Sequence, residues 1–241
     1  MVGEKMSPFE RFHTRLLEKA ENAFARAVTY VAIGDSVTQG CMQNGIVEYE
    51  RVYHQVCRRR IERRYMGTVL NVINSGVSGD TAAGSRSRWE RDVLQYNPDL
   101  VTIFFGHNDA HGGEDGLAPY IQAIRDLIGL VRAETESDIM VITPCMMMRR
   151  VNDRVADVHK PLVPRFVKLA EEGHLRSYAD ALRHFASANQ VPCLDAYGMW
   201  ERMEREGINI HSRLSNGINH PDPEFHVDLG TSLEKILLRE A

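Results

Sequence analysis

Short apolar segments alternate with longer amphipathic segments along most of this chain. Runs rich in β-branched and aromatic residues predict five strands, at 28–33, 68–74, 100–105, 138–144 and 191–196. The intervening stretches place apolar residues at helical spacing and predict helices over 8–27, 47–65, 85–95, 119–133, 163–189 (with a possible break at Gly173) and 199–206, and from Thr231. Strands that alternate with helices in this way predict an α/β fold, in which helices cover both faces of a five-stranded parallel sheet.

Length and composition narrow the class of protein. The chain has 241 residues, of which 43% are hydrophobic and 26% charged, and it contains no Pro/Gly/Ser-rich linker, so we expect one domain over 1–241. The net charge of −4 comes from mixed signs. The one dense basic run, 58–64, contains Glu62 within a helical pattern and is interpreted as a solvated helix face. We therefore expect no nucleic-acid partner and no membrane surface.

The amino terminus and the cysteines bear on location and assembly. Acidic residues interrupt 1–27, and no apolar run approaches the roughly 20 residues of a bilayer-spanning helix, so a cytoplasmic protein is expected. The four cysteines show no Cys-x-x-Cys pair, which argues for reduced thiols and against a zinc site. The first predicted helix has enough aromatic residues to pack on a second copy of the chain as well as on its own sheet, so a homo-oligomer is one of the expected states.

Polar or glycine-rich clusters follow the first three predicted strands. Ser36 comes directly after Gly34 and Asp35, Gly79 lies in the turn 76–81, and Asn108 lies in the turn 106–109. The carboxyl ends of parallel strands open onto one crevice, where ligands bind. Ser36 is a candidate nucleophile there, and the late His220 is its strongest candidate base. The amides of Ser36 and Gly79 and the side chain of Asn108 could donate to an oxyanion.

These four segments, in this order, resemble the four sequence blocks of the GDSL or SGNH hydrolase family. The resemblance extends from residue 34 to residue 226. It implies that Ser36 is the nucleophile, that His220 is the general base, and that Ser36, Gly79 and Asn108 form the oxyanion hole. It further implies a flavodoxin-like three-layer α/β/α sandwich and hydrolysis of esters or thioesters without a metal or other cofactor.

The last block departs from the family pattern. An aspartate normally stands three residues before the histidine, and here that position is Gly217. Asparagine can orient a neutral imidazole but cannot offset the charge that the ring gains during attack. Two arrangements follow. In the first, Asn216 or a nearby backbone carbonyl accepts from Nδ1 of His220. In the second, Asp222 or another acid folds back to complete a triad.

Further residues could contribute to the site. Asp35 is a candidate substrate-binding residue, although a structural role as a helix cap is favoured for it. Met146 follows the fourth strand and is a candidate wall of an acyl pocket, and the polar segment 145–160 is a candidate wall or lid. Cys41 is a weaker rival nucleophile. His107, Asp109 and His111 alternate as metal ligands could, but the family block accounts for this segment better.

We therefore expect a serine esterase that cleaves carboxylic esters, with short acyl or acetyl groups that could be linked to a sugar. A small-molecule ester would be its substrate. Two alternatives are a thioesterase and a non-catalytic protein that binds carbohydrate or small molecules on the same fold. The missing aspartate supports the binding alternative, whereas a phosphate-binding loop at 34–40 is disfavoured because it lacks the Gly-Lys-Ser/Thr lysine.

Overall fold

A computed structural model describes residues 8–43 and 45–238. Its centre is a five-stranded sheet with the spatial order β2-β1-β3-β4-β5, in which every neighbouring pair is parallel. The strands are β1 (Val28–Gly34), β2 (Leu70–Gly76), β3 (Leu100–Phe104), β4 (Asp138–Ile142) and β5 (Cys193–Leu194). The order reverses direction beside β1, which is where ligands bind in doubly wound sheets. The predicted fold class is confirmed.

Nine α-helices lie within the described part of the chain. They are α1 (Glu10–Glu21), α2 (Ser36–Gln39), α3 (Tyr53–Arg64), α4 (Trp89–Asp92), α5 (Leu117–Glu134), α6 (Val163–Glu171), α7 (His174–Ala188), α8 (Ala196–Arg205) and α9 (Pro223–Leu237). Helix α3 packs on α9 and α5 packs on α7, flanking the sheet. The central strands are almost wholly buried, as their continuous apolar sequences require.

Several element boundaries differ from the prediction for local reasons. Helix α9 begins eight residues before the predicted Thr231, because the Asp222 side chain accepts from the amide of Phe225 and a proline occupies the first helical turn. Asp195 caps α8 in the same way, which shortens β5 to two residues. The predicted helix over 85–95 is instead a 3-10 turn (Gly84–Arg88), the short α4 and a second 3-10 turn (Leu94–Tyr96).

The remaining helices agree more closely. Helix α3 starts at Tyr53 rather than at residue 47, and the predicted break at Gly173 is confirmed by its left-handed φ of +71° between α6 and α7. The first predicted helix shortens to Glu10–Glu21. No helix among the described residues is long and apolar enough to cross a membrane. Residues 1–7, part of the stretch 1–27 from which a cytoplasmic location was predicted, lie outside the described residues.

Candidate active site

Three strands end at the same level of the sheet. Gly34 of β1 pairs with Gly76 of β2 on one side and with Phe104 of β3 on the other. The amide of Val77 also donates to the carbonyl of Gly34 at 3.0 Å. The turns after the three strands therefore start side by side, and the predicted nucleophile and oxyanion donors all lie on these turns.

The turn after β1 places Ser36 at the first position of α2. A Cβ at Gly34 would lie 2.2 Å from Oγ1 of Thr38 and 2.5 Å from the carbonyl oxygen of Phe104, so only glycine fits there. Asp35 caps the helix by accepting from the amide of Val37 at 2.9 Å. The sharp turn presents the Ser36 hydroxyl at the carboxyl edge of the sheet, where the residue keeps 4% of its surface exposed.

His220 reaches Ser36 from the other end of the chain. Its Nε2 lies 3.1 Å from Oγ of Ser36, within hydrogen-bond distance. The loop that carries it is held by Oδ1 of Asn216, which accepts from the backbone amides of Ile218, Asn219 and His220 at 3.0 Å each. Asn216 thus shapes the backbone of the histidine loop and does not contact the imidazole.

The other ring nitrogen of His220 faces a backbone carbonyl. Its Nδ1 lies 3.2 Å from the carbonyl oxygen of Met42. A carbonyl can only accept, so Nδ1 carries the proton and Nε2 is free to accept from the Ser36 hydroxyl. This is the tautomer that a general base needs. Of the two predicted arrangements, the structure has the one with a backbone carbonyl, although the carbonyl belongs to Met42 and not to the histidine loop.

Neither Asp222 nor Asn216 supports the imidazole. The Asp222 carboxylate accepts from the amide of Phe225 at 2.8 Å and from Nε of Arg213 at 2.7 Å, so its oxygens are engaged at the start of α9. The prediction that Asn216 could orient the ring fails because its Oδ1 is already shared among three amides. The pairing acid that the family pattern places behind the histidine is absent from its expected position.

The geometry at Gly217 explains that absence. Gly217 has a left-handed φ of +73°, and a Cβ there would lie 2.7 Å from the backbone carbon of Arg154 and from the backbone nitrogen of Val155. An aspartate would have to adopt an unfavourable backbone conformation and displace a neighbouring segment. The loop is packed in a way that admits only glycine where the family carries its acid.

Burial dominates the electrostatics of His220. Desolvation lowers the pKa of His220 to about 4, opposed by the hydrogen bond to the Met42 carbonyl and by the negative charge of Asp35. The ring is therefore neutral near pH 7 and able to accept a proton. The imidazolium that forms during attack would be stabilised by a carbonyl dipole rather than by an adjacent carboxylate.

The predicted oxyanion donors lie on the neighbouring turns. Gly79 has a left-handed φ of +82°, and within the described part of the chain neither its amide nor that of Ser36 donates to a protein acceptor. Asn108 uses one N–H of Nδ2 to donate to the carbonyl of Asp80 at 2.8 Å, which leaves its second N–H for a ligand. Three N–H donors thus lie on the turns at this edge of the sheet, where the oxyanion hole is predicted.

Sequence reasoning missed the side chains that hold these turns in place. His107 donates from Nδ1 to Asp35 at 3.2 Å and accepts at Nε2 from the amide of Cys145 at 2.9 Å, so it joins the nucleophile turn to the end of β4. Asp109 accepts from the amides of Ala82 and Gly106, and burial raises its pKa to about 6. In the sequence, only the position of these residues next to Asn108 in its family block could have indicated that they support the site.

A cavity of about 380 Å³ opens beside His220. Its lining is mainly apolar but includes polar side chains. The lining residues are Cys41, Gln43, Gly45, Ile46, Val47, Ser78, His159, Leu162, Phe166, Asn216, Ile218, Asn219 and His220. His159 comes from the segment predicted as a wall or lid, and Cys41 lies in the wall as a thiol whose pKa burial raises.

Two predicted substrate-binding residues do not line this cavity. Asp35 is fully buried, and its carboxylate is occupied by the amide of Val37 and by His107. Met146 is 1% exposed and borders a separate cavity of about 30 Å³ against α6 and α7. Asp35 therefore has the structural role that its capping position favoured, and Met146 belongs to the core.

No group of three or more histidine, cysteine, aspartate and glutamate side chains within 8–43 and 45–238 is arranged to hold a metal ion. His107 and Asp109 form hydrogen bonds with protein groups, and His111 packs edge-on against Phe166 with ring centroids 4.9 Å apart. The alternation of these residues in the sequence therefore does not bring them together as ligands.

The family model of the GDSL-like lipase/acylhydrolase family matches residues 32–227, which include all four blocks. The chain belongs to the GDSL-like lipase/acylhydrolase family. This confirms the family predicted from the blocks.

Curated relatives of this GDSL-family chain match it only locally. An acetylxylan esterase of Geobacillus stearothermophilus is 45% identical over 40 residues, which are 17% of this chain and 18% of that protein. An uncharacterized lipoprotein of Bacillus subtilis (strain 168), YqeF, is 35% identical over 80 residues, 33% of this chain and 31% of that protein. The matches thus span about a fifth and a third of these relatives, and the cytoplasmic location stays a prediction.

Solved structures agree with the GDSL-family fold over nearly the whole chain. A lipase/acylhydrolase from Enterococcus faecalis superposes with a TM-score of 0.66 at 23% identity, covering 88% of this chain and 96% of that one. Axe2, an acetylxylan esterase from Geobacillus stearothermophilus, gives 0.65 at 18% identity and covers 87% and 94%. A two-domain esterase (CEX) active on acetylated mannans gives 0.68 at 16% identity, covering 96% of this chain and 53% of that one. At these identities the likeness establishes the fold.

Proposed function

We propose that this protein is a serine esterase that removes short acyl groups, acetyl foremost, from hydroxylated alcohols such as sugars. The observation that carries the proposal is the 3.1 Å contact between Oγ of Ser36 and Nε2 of His220, in the tautomer fixed by the Met42 carbonyl. The acetyl preference is supported by the acetylxylan esterases to which the chain is similar in local sequence and in fold.

In the proposed reaction, Oγ of Ser36 attacks the ester carbonyl carbon while its proton passes to Nε2 of His220. The carbonyl oxygen becomes an oxyanion, which accepts from the amides of Ser36 and Gly79 and from Nδ2 of Asn108. The tetrahedral intermediate expels the alcohol, which takes the proton from His220. Water then attacks the acyl-enzyme, His220 again accepts and returns a proton, and the carboxylic acid leaves.

Hydrolysis of p-nitrophenyl acetate tests this mechanism. Wild type should release p-nitrophenol in a burst equal to the enzyme concentration followed by steady turnover, and Ser36→Ala should abolish both. Ser78→Ala is the matched control, because it removes a hydroxyl from the wall of the same cavity and should leave the enzyme active. Equal inactivity of wild type and Ser36→Ala on acetyl to octanoyl esters would instead favour the non-catalytic binding protein.

Substrate class is tested by competition. Acetylated xylo-oligosaccharide should be a better substrate than an acetyl thioester of matched size, because the cavity lining includes polar side chains that can bind sugar hydroxyls. Faster turnover of the thioester would make the protein a thioesterase with the same nucleophile.

A further inference from the structure

Arg88 is a buried cation that the reaction described above does not use. It ends the 3-10 turn Gly84–Arg88 and is 7% exposed. Buried arginines are rare unless their donors are engaged. Here all the nitrogen atoms of the guanidinium have protein acceptors, which are two carbonyls at the ends of β1 and β2 and the carboxylates of Asp80 and Asp92.

Two of these acceptors are carbonyls at the strand ends. Nη2 of Arg88 donates to the carbonyl of Gly34 at 3.2 Å, two residues before the nucleophile, and Nη1 donates to the carbonyl of Ser75 at 2.7 Å, near the end of β2. Nη1 also reaches the carboxylate of Asp92 at 3.2 Å. The guanidinium therefore spans the edge between β1 and β2.

The remaining donors hold Asp80. Nε and Nη2 of Arg88 each lie 2.8 Å from Oδ2 of Asp80, while Oδ1 of Asp80 accepts from the amide of Thr81. Asp80 follows Gly79 directly, and its carbonyl accepts from Nδ2 of Asn108 at 2.8 Å. Asp80 thus follows one predicted oxyanion donor, Gly79, in the chain and orients the other, the side chain of Asn108, through a hydrogen bond.

The turn that carries Gly79 has little else to fix it. Residues 77–79 are exposed, and the backbone–backbone bonds described for this segment are a local one from the amide of Asp80 to the carbonyl of Val77 and one from the amide of Val77 to the carbonyl of Gly34. The amide of Ser78 donates to Oε1 of Gln39. An exposed turn with few backbone bonds is mobile unless side chains hold it.

We propose that Arg88 is a positioning residue for the oxyanion hole, acting through Asp80 on the Gly79 amide and the Asn108 side chain. The inference rests on the proposed esterase function, because it assigns those two groups to the oxyanion. The planar fork of the guanidinium bonds Asp80 and two strand-end carbonyls at once, which a lysine ammonium cannot reproduce. Arg88 touches neither substrate nor the reacting atoms.

The test compares Arg88→Lys with wild type in two measurements. Steady-state hydrolysis of p-nitrophenyl acetate should show kcat reduced by about 100-fold, the order of effect of losing an oxyanion donor, with KM changed less than about threefold. Hydrogen exchange followed by mass spectrometry should show faster exchange in 77–81 and unchanged exchange in α5 and α7. Arg88→Ala should regain part of its kcat when guanidinium ion is added.

Arg86→Met is the matched control. Arg86 lies on the same 3-10 turn but is exposed, pairs with Asp126 at 2.5 Å and stacks over Trp89, so its loss should leave kcat and the exchange of 77–81 unchanged. The proposal is overturned if Arg88→Lys keeps wild-type kcat and exchange, or if exchange rises throughout the sheet without a specific change in 77–81. If wild type hydrolyses no ester, the proposed function fails, and unchanged exchange in 77–81 separately overturns the positioning role.

Discussion

The pH dependence of catalysis should report the unusual environment of His220. Burial lowers the pKa of this imidazole to about 4, compared with an ordinary value of 6.5. Lowering the pKa from 6.5 to about 4 corresponds to about 3 kcal/mol in favour of the neutral ring. Because of the lowered pKa, the base stays deprotonated as the pH falls, until the pH approaches the pKa of His220 in the folded protein.

The expected profile of kcat/KM is therefore flat from pH 8 to about pH 5 and falls by half near pH 4. At pH 5 about nine-tenths of the enzyme should keep a neutral base, whereas an unperturbed histidine would leave about 3%. The assay is hydrolysis of a short acetyl ester with the released alcohol quantified by chromatography, so that the signal depends on the ionisation of neither a coloured product nor acetic acid. NMR titration of the His220 ring in Ser36→Ala gives the same pKa without catalysis.

Acid unfolding is the main competing cause of lost activity. Enzyme held at each pH and returned to pH 7 should recover full activity if only His220 has titrated. A reversible acid limb near pH 6.5, together with an NMR pKa near 6.5, would refute the argument, because it would show that the ring is solvated or paired with a charge that the structure does not place there.

Three further predictions concern stability and the supporting network. Gly217→Ala should destabilise the fold in urea unfolding by ~1 kcal/mol or more beyond Gly207→Ala, because both have positive φ but only Gly217 would place Cβ against backbone; equal losses would contradict the packing argument. His107→Phe removes the side-chain partner of the buried Asp35 carboxylate, which keeps the amide of Val37, and should cost about 1–3 kcal/mol of unfolding free energy while reducing kcat. An unchanged kcat would show that His107 does not support the site. Burial lowers the pKa of His54 to about 4 and of His226 to about 3, so their contribution to stability is complete above pH 6.5 and should fall by about 2 kcal/mol per histidine at pH 5. His54→Gln should lessen the dependence of the unfolding free energy on pH. Equal unfolding free energies at pH 7 and pH 5 would refute this prediction.

The sheet and the four blocks were predictable because their signals are local. Buried parallel strands have continuous apolar sequences, and the turns after β1, β2 and β3 follow those strands directly. Once the strands are parallel and in register, Ser36 and the turns of Gly79 and Asn108 must share an edge. His220 was a candidate from its late loop and its family block, but its contact with a serine 184 residues away could not be read from local sequence.

The supporting contacts were not predictable because they depend on tertiary packing. Nothing in the sequence marks Arg88 as the buried arginine and Arg86 as the exposed one, two residues apart on the same turn. Met146 is a residue type that often lines pockets, yet here it packs into the core. The segment after β4 is held against the histidine loop, where the amide of Met148 donates to the carbonyl of Ile218. Helix α9 begins early because of a cap and a proline, whereas the predicted start rested on apolar spacing.

The acceptor behind His220 links the base to the substrate cavity. A carboxylate on the histidine loop would orient the ring from the loop itself, but the tight packing of Gly217 against 154–155 excludes one. The acceptor is instead the carbonyl of Met42, on a loop closed by the bridge between Cys41 and Val47. Because that same loop lines the cavity, any substrate that moves it also moves the group that fixes the tautomer of the base. Substrate fit at the loop should therefore be expressed in kcat as well as in KM.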